Sequence, residues 1–131
     1  MILGLGSDIV TITRMEHLLA AYGDRAAQRL LTPAERVIFA SFPTHAMKSR
    51  ASFLAKRFAA KEACVKALGC GFRQGITMQH IGVINNEAGK PSLELSGPAL
   101  AFLTTHFPHH QGWFLSLSDD YPFAMAVVVL A

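Results

Sequence analysis

The chain has 131 residues, 51% hydrophobic and 16% charged, and its twelve Lys and Arg against nine Asp and Glu give a formal charge of +3. That length suits one domain, residues 1–131, with a real core, and the composition excludes a disordered chain. A pI near 9.1 is compatible with phosphate-bearing or acidic partners but too weak to argue for nucleic acid, and a mean hydropathy of +0.31 predicts apolar surface covered by a partner subunit.

The first residues lack the basic region of a signal peptide and already carry Asp8, and no apolar run reaches the roughly 18 residues of a membrane span. A cytoplasmic location without membrane contact is therefore expected. Cys64 and Cys70 have no Cys or His pair at zinc spacing nearby and read as reduced, mostly buried thiols.

Residues 2–12 alternate as a strand, with Leu3, Leu5, Ser7 and Ile9 on one face and Gly4, Gly6, Asp8 and Val10 on the other. Two glycines weaken a strand, so they mark either close approach of a ligand or another backbone beside Asp8, or a bulge or bend. Thr13 and Glu16 are spaced as a capping box for a helix running to about Tyr22, and Gly23 ends it. Arg14 then falls in the first turn, where the helix dipole opposes it, so an outside partner explains it better than helix stability. Asp24 opens a short helical stretch carrying Arg25 and Arg29, which with Arg14 make a basic patch.

Thr32-Pro33-Ala34-Glu35 is a second capping box and predicts a helix to about Ser41. From about Met47 to Leu68 there is neither Gly nor Pro, which predicts the longest helix, about 30 Å at 1.5 Å per residue. On it Glu62 shares a stripe with Ala55, Phe58, Ala59 and Lys66, an alanine-lined surface that leaves space for something larger than a side chain. Glu62 and Lys66 alone also fit a surface ion pair worth about 0.3–0.5 kcal/mol.

Strands are expected over His80–Ile84 and around Leu93 and Leu95, separated by a turn containing Gly89-Lys90-Pro91. Ser96-Gly97-Pro98 starts a helix to about His106. Trp113–Asp119 and Phe123–Leu130 form a hairpin whose Val-rich second strand suits the middle of a sheet. The histidines of His106-Phe107-Pro108-His109-His110 share no helix face, and Ser116 and Ser118 lack a nucleophile elbow, so neither group is read as a site.

Asp8, Glu62 and Lys66 are the residues that would suit chemistry together. Two carboxylates and an ammonium would hold a hard divalent ion and a polyphosphate, and magnesium fits because it takes only one or two protein carboxylates plus substrate oxygens. Lys61, Arg57 and Lys90 are further cations available to phosphate by charge alone.

Several segments, in order, resemble holo-acyl-carrier-protein synthases, the single-half type of 4'-phosphopantetheinyl transferase. They are Gly6-Ser7-Asp8-Ile9-Val10 with Arg14, Phe58-Ala59-Ala60-Lys61-Glu62-Ala63 with Lys66-Ala67-Leu68-Gly69, Gly89-Lys90-Pro91, and Ser116-Leu117-Ser118 with Ala124 and Ala126. The resemblance spans nearly the whole chain. It implies an α+β fold, with a small antiparallel sheet packed on one long helix and several short ones, and a homotrimer with sites between subunits. It also implies transfer of 4'-phosphopantetheine from coenzyme A to a serine of an acyl carrier protein for fatty acid biosynthesis. In that reading Asp8 and Glu62 are magnesium ligands, Lys66 meets the phosphates and Arg14 meets the acidic carrier. A family member that binds coenzyme A or a carrier without turnover is the alternative. Where many relatives have His after the Ser-x-Ser element, this chain has Asp119, an anion that would repel phosphate unless a cation intervenes.

Overall fold

A computed structural model describes all residues, 1–131. The order is β1 (Gly4–Thr11), α1 (Ile12–Tyr22), α2 (Asp24–Leu30), α3 (Pro33–Ala40) and α4 (Met47–Leu68). A 3-10 turn (Met78–His80), β2 (Ile81–Asn85), β3 (Pro91–Leu95), α5 (Gly97–His106), β4 (Trp113–Asp120) and β5 (Phe123–Leu130) follow. The fold is α+β, as expected, but its strands form two separate antiparallel sheets, β1-β5-β4 and the ribbon β2-β3. No helix is long and apolar enough to cross a membrane.

Helix α4 is the element on which the rest is packed. Its 22 residues contain no helix breaker, and it stops where Gly69 adopts φ +79° and its N–H reaches back to Val65 O. Ala51, Ala55, Ala59, Ala63 and Ala67 recur every four residues, and all five are buried. This ridge seats α4 on the three-stranded sheet, whose helix-facing side is equally small beside it: Gly4 and Gly6 on β1, Ala124 and Ala126 on β5. A β-carbon added at Gly6 would overlap the Ala63 carbonyl, and one at Gly4 the Ala67 carbonyl. The glycines of β1 therefore serve the approach of a backbone and not of a ligand, and the alanine stripe is a helix–sheet seam instead of room for a phosphate.

The opposite side of α4 carries Cys64, Val65 and Leu68 into a second cluster with Ile76, Ile81, Ala99 and Leu103. Neither cysteine is in a disulfide, and burial pushes the Cys64 thiol up to about 12. The capping box expected at Thr13 and Glu16 is absent. Strand β1 passes directly into α1, whose N-cap is Thr11, and Glu16 accepts a hydrogen bond from Tyr121 Oη at 2.9 Å. The Thr32–Glu35 box is present in full.

In register, Leu5, Val129 and Phe114 form one cross-strand row on the side of the sheet away from α4, and Ile9, Met125 and Ser118 form another. Leu5 and Ile9 are each 65% exposed and Phe114 58%. The helix-facing row next to the ridge is Asp8, Ala126 and Leu117, followed by Val10, Ala124 and Asp119.

Candidate active site

The alternation of β1 puts Asp8 on the same face as Gly6 and Val10, over α4 and at the outer edge of the sheet. Lys66, in the last turn of α4, donates from Nζ to Asp8 Oδ1 at 3.2 Å and to Ser7 O at 2.8 Å. Glu62 lies one turn earlier on the same helix, half-buried, and accepts no hydrogen bond from any other residue of the chain. Burial and then the charge of Asp8 push its carboxyl above the ordinary range, against the pull of Lys66 and Arg14. Arg14 reaches the group from α1 with its guanidinium 5.0 Å from the centre of the Phe58 ring. Residues of β1, α1 and α4 thus share one electrostatic environment.

The chemistry of this donor set fits a hard cation. The two carboxylates, of which Asp8 adds to the burial that raises the proton affinity of Glu62, have only one directly bonded counter-charge, Lys66. No group of three or more His, Cys, Asp or Glu is gathered anywhere in the chain.

A second basic feature, which the sequence reading missed, lies at the other edge of the sheet. A groove of about 360 Å³ is lined by Lys48, Ser52 and Lys56 of α4 together with Asp119 and Tyr121. Lys56 Nζ stands 3.5 Å from Asp119 Oδ1, and Lys48 Nζ lies 4.8 Å from the centre of the Tyr121 ring. Asp119 thus already has the intervening cation that its charge called for. Strand β5 separates β1 from β4, and Asp8 and Asp119 are offset by two positions in register, so their backbones stand about 12 Å apart. The recurrence of Lys48, Ser52 and Lys56 at every fourth residue of α4 was the available signal, and it looked like any solvated helix face.

Two of the cations assigned to phosphate by charge alone are internal. Lys61 is fully buried and spends its three donors on Glu35 Oε1 at 2.6 Å, Leu30 O at 2.6 Å and Met78 O at 3.1 Å. Burial lowers its proton affinity and Glu35 restores part of it. Arg57 is 7% exposed, packs 4.1 Å over the Phe53 ring and donates to Asn85 Oδ1 at 3.1 Å. Lys61 cannot meet a bound coenzyme without leaving buried Glu35 uncompensated, a cost of about 3–5 kcal/mol for an ion pair. Arg57 instead props the β2–β3 turn, because Asn85 Nδ2 also holds Gly89 O at 3.0 Å beside exposed Lys90. Arg25 and Arg29 are exposed on α2. Glu35, 1% exposed, escaped the sequence reading because its capping role hid its second one.

Residues 4–126 match the 4'-phosphopantetheinyl transferase superfamily. The chain is similar to the holo-[acyl-carrier-protein] synthase of Bartonella henselae, at 44% identity over 99% of this chain and 96% of that protein. Among solved structures it is similar to the same-named protein from Neisseria meningitidis, at 37% identity and a TM-score of 0.85, over 100% of this chain and 99% of that one. It is also similar to a holo-(acyl-carrier-protein) synthase from Bacillus anthracis in complex with CoA (3',5'-ADP), at 35% identity and a TM-score of 0.78, over 99% and 96% of the two chains.

Proposed function

Because this chain belongs to the 4'-phosphopantetheinyl transferase superfamily, we propose that it transfers 4'-phosphopantetheine from coenzyme A to a serine of an apo-acyl carrier protein. The convergence of Asp8, Glu62 and Lys66 at one edge of the sheet carries this reading. The serine oxygen attacks the phosphorus that bears pantetheine, the bond from that phosphorus to the bridging oxygen breaks, and adenosine 3',5'-bisphosphate leaves with the electron pair. Lys66 offsets charge on the pyrophosphate, and Asp8 fixes the direction of its ammonium. Glu62, whose carboxyl already holds protons more readily than an ordinary one, takes the serine proton. Asp8 and Glu62 would hold a magnesium ion, which when bound supplies further neutralisation of the pyrophosphate.

Arg14, exposed at the rim of this group, meets the acidic carrier, with Arg25 and Arg29 extending the basic surface along α2. Chains assemble as a homotrimer through the uncovered sheet face, where Leu5, Ile9 and Phe114 would each contribute about 1.5–3 kcal/mol on full burial. A cyclic arrangement brings the β4 edge of one copy to the β1 edge of the next. Lys48 and Lys56 then serve the nucleotide phosphates of a coenzyme whose pyrophosphate lies at the neighbour's Lys66, and exposed Lys90 is the remaining cation for the same ligand. The chain works as one domain in the cytoplasm, and its product serves fatty acid biosynthesis.

The test is mass spectrometry of an apo-carrier incubated with the protein, coenzyme A and magnesium. A gain of one phosphopantetheine on the carrier serine is expected. No gain on a carrier that an authentic transferase modifies rejects the reading.

A further inference from the structure

Glu62 has no hydrogen-bonding partner in the chain, so its position is set by the placement of α4 alone. The two residues that flank it are both pinned. On one side Ala63 presents its carbonyl to Gly6, with no room for a side chain between them. On the other, Lys61 projects about 100° around the helix from Glu62 and is fully buried. Its ammonium bonds to the end of α2 through Leu30 O, to α3 through Glu35 Oε1 and to the 3-10 turn through Met78 O. Glu35 in turn accepts from Thr32 N at 2.9 Å through Oε1 and from Val83 N at 2.9 Å through Oε2. One ion pair thus joins four neighbouring segments to the helix position next to the catalytic carboxylate.

We propose that the buried Lys61–Glu35 pair is a positioning device that fixes the rotation of α4, and through it the place of Glu62 opposite Asp8 and Lys66. A carboxylate about 6 Å from the helix axis moves by about 1 Å when the helix turns by about 10°. A displacement of that size is enough to cost a reaction about a hundredfold. On the sheet side the ridge is built from alanines of one size, which carry no directional side-chain contact. The pair supplies direction that the ridge lacks: its five hydrogen bonds have fixed partners, and no neighbouring rotation of α4 reproduces them.

This inference rests on the reading that Asp8 and Glu62 hold a divalent cation, and the experiment separates the two. Mn²⁺ binding to the purified protein without substrates is followed by electron paramagnetic resonance, with kcat measured at saturating coenzyme A and carrier. The apolar exchange Lys61→Met/Glu35→Leu keeps the volume filled, and Glu35→Gln keeps the shape while removing the charge. Both are compared with the parent below their melting temperatures, after circular dichroism shows parental helix content. The expected result is Mn²⁺ affinity lower by about tenfold to a hundredfold, as for the loss of a group that orients a ligand. A parallel fall in kcat is expected, with Glu35→Gln intermediate. Parental Mn²⁺ affinity and kcat in a folded variant, with only a lower melting temperature, overturn the proposal and leave the pair a stability element. If the double variant does not fold, Glu35→Gln decides by the same two readouts. Glu62→Gln serves as reference: should it bind Mn²⁺ as the parent does, the cation reading itself fails and this proposal falls with it.

Discussion

Lys66 Nζ lies 3.2 Å from Asp8 Oδ1 and 2.8 Å from Ser7 O, so the last turn of α4 is tied to β1 at the point where the strand leaves the glycine pair. Both partners are partly accessible, with Lys66 half exposed and Asp8 less so, and the bond is worth little as a stabilising contact. Its consequence is directional: the ammonium is held over the space that Glu62 borders.

Replacing Lys66 with Met should therefore leave the melting temperature within a few degrees of the parent. The loss should fall on kcat, by about 10²–10³, the usual cost of removing one charge-stabilising donor from a transfer site. Carrier modification followed by mass spectrometry measures it. Parental turnover would show that Lys66 is only a surface strut.

Glu62→Gln should abolish transfer yet stabilise the metal-free protein at neutral pH. The native Glu62 carboxyl binds its proton more tightly than the unfolded chain does, because burial and Asp8 oppose its charge. Parental stability accordingly falls as pH rises from the ordinary carboxylate range through the native value, and the penalty is complete above it. Gln carries no such penalty. Its advantage in urea denaturation should be present at pH 7 and vanish in acid, where Glu62 is protonated in both states. A pH-independent difference would mean that neither burial nor Asp8 raises the proton affinity of Glu62 in the folded protein.

Gly6→Ala should be among the most damaging single changes. The added methyl meets the Ala63 carbonyl, which belongs to the backbone of the central helix and cannot rotate away. A loss of about 3 kcal/mol or more is expected in denaturant unfolding, at the upper end of overpacking effects. A change under about 1 kcal/mol would show that α4 can slide on the sheet.

Phe114→Glu places a charge in the row that Leu5 and Val129 complete on the uncovered sheet face. Sedimentation should find the parent associated and the variant shifted to monomer, with circular dichroism unchanged. Activity should fall with assembly if the β4 groove of one copy serves the β1 edge of another. A parent that sediments as a monomer would rule out that assembly.

The chain order of elements was readable from local chemistry. Absence of Gly and Pro bounded α4 correctly, Thr32 and Glu35 announced the cap of α3, and the Val-rich β5 took the middle of its sheet. The order and spacing of the Asp8 and Glu62 segments likewise sufficed for the family. What local pattern could not decide was which neighbours each side chain would meet. A lysine beside a glutamate in sequence looks the same whether it faces solvent or an ion partner 26 residues away, yet Lys61 is buried against Glu35 while Lys66 stands at the site. The alanines every fourth residue and the glycines of β1 were each visible, but only tertiary packing shows that one set is the seat of the other. Helical and strand periodicities fix the direction of a side chain relative to its own element. The occupant of that direction depends on contacts distant in sequence, and those are set when the segments pack.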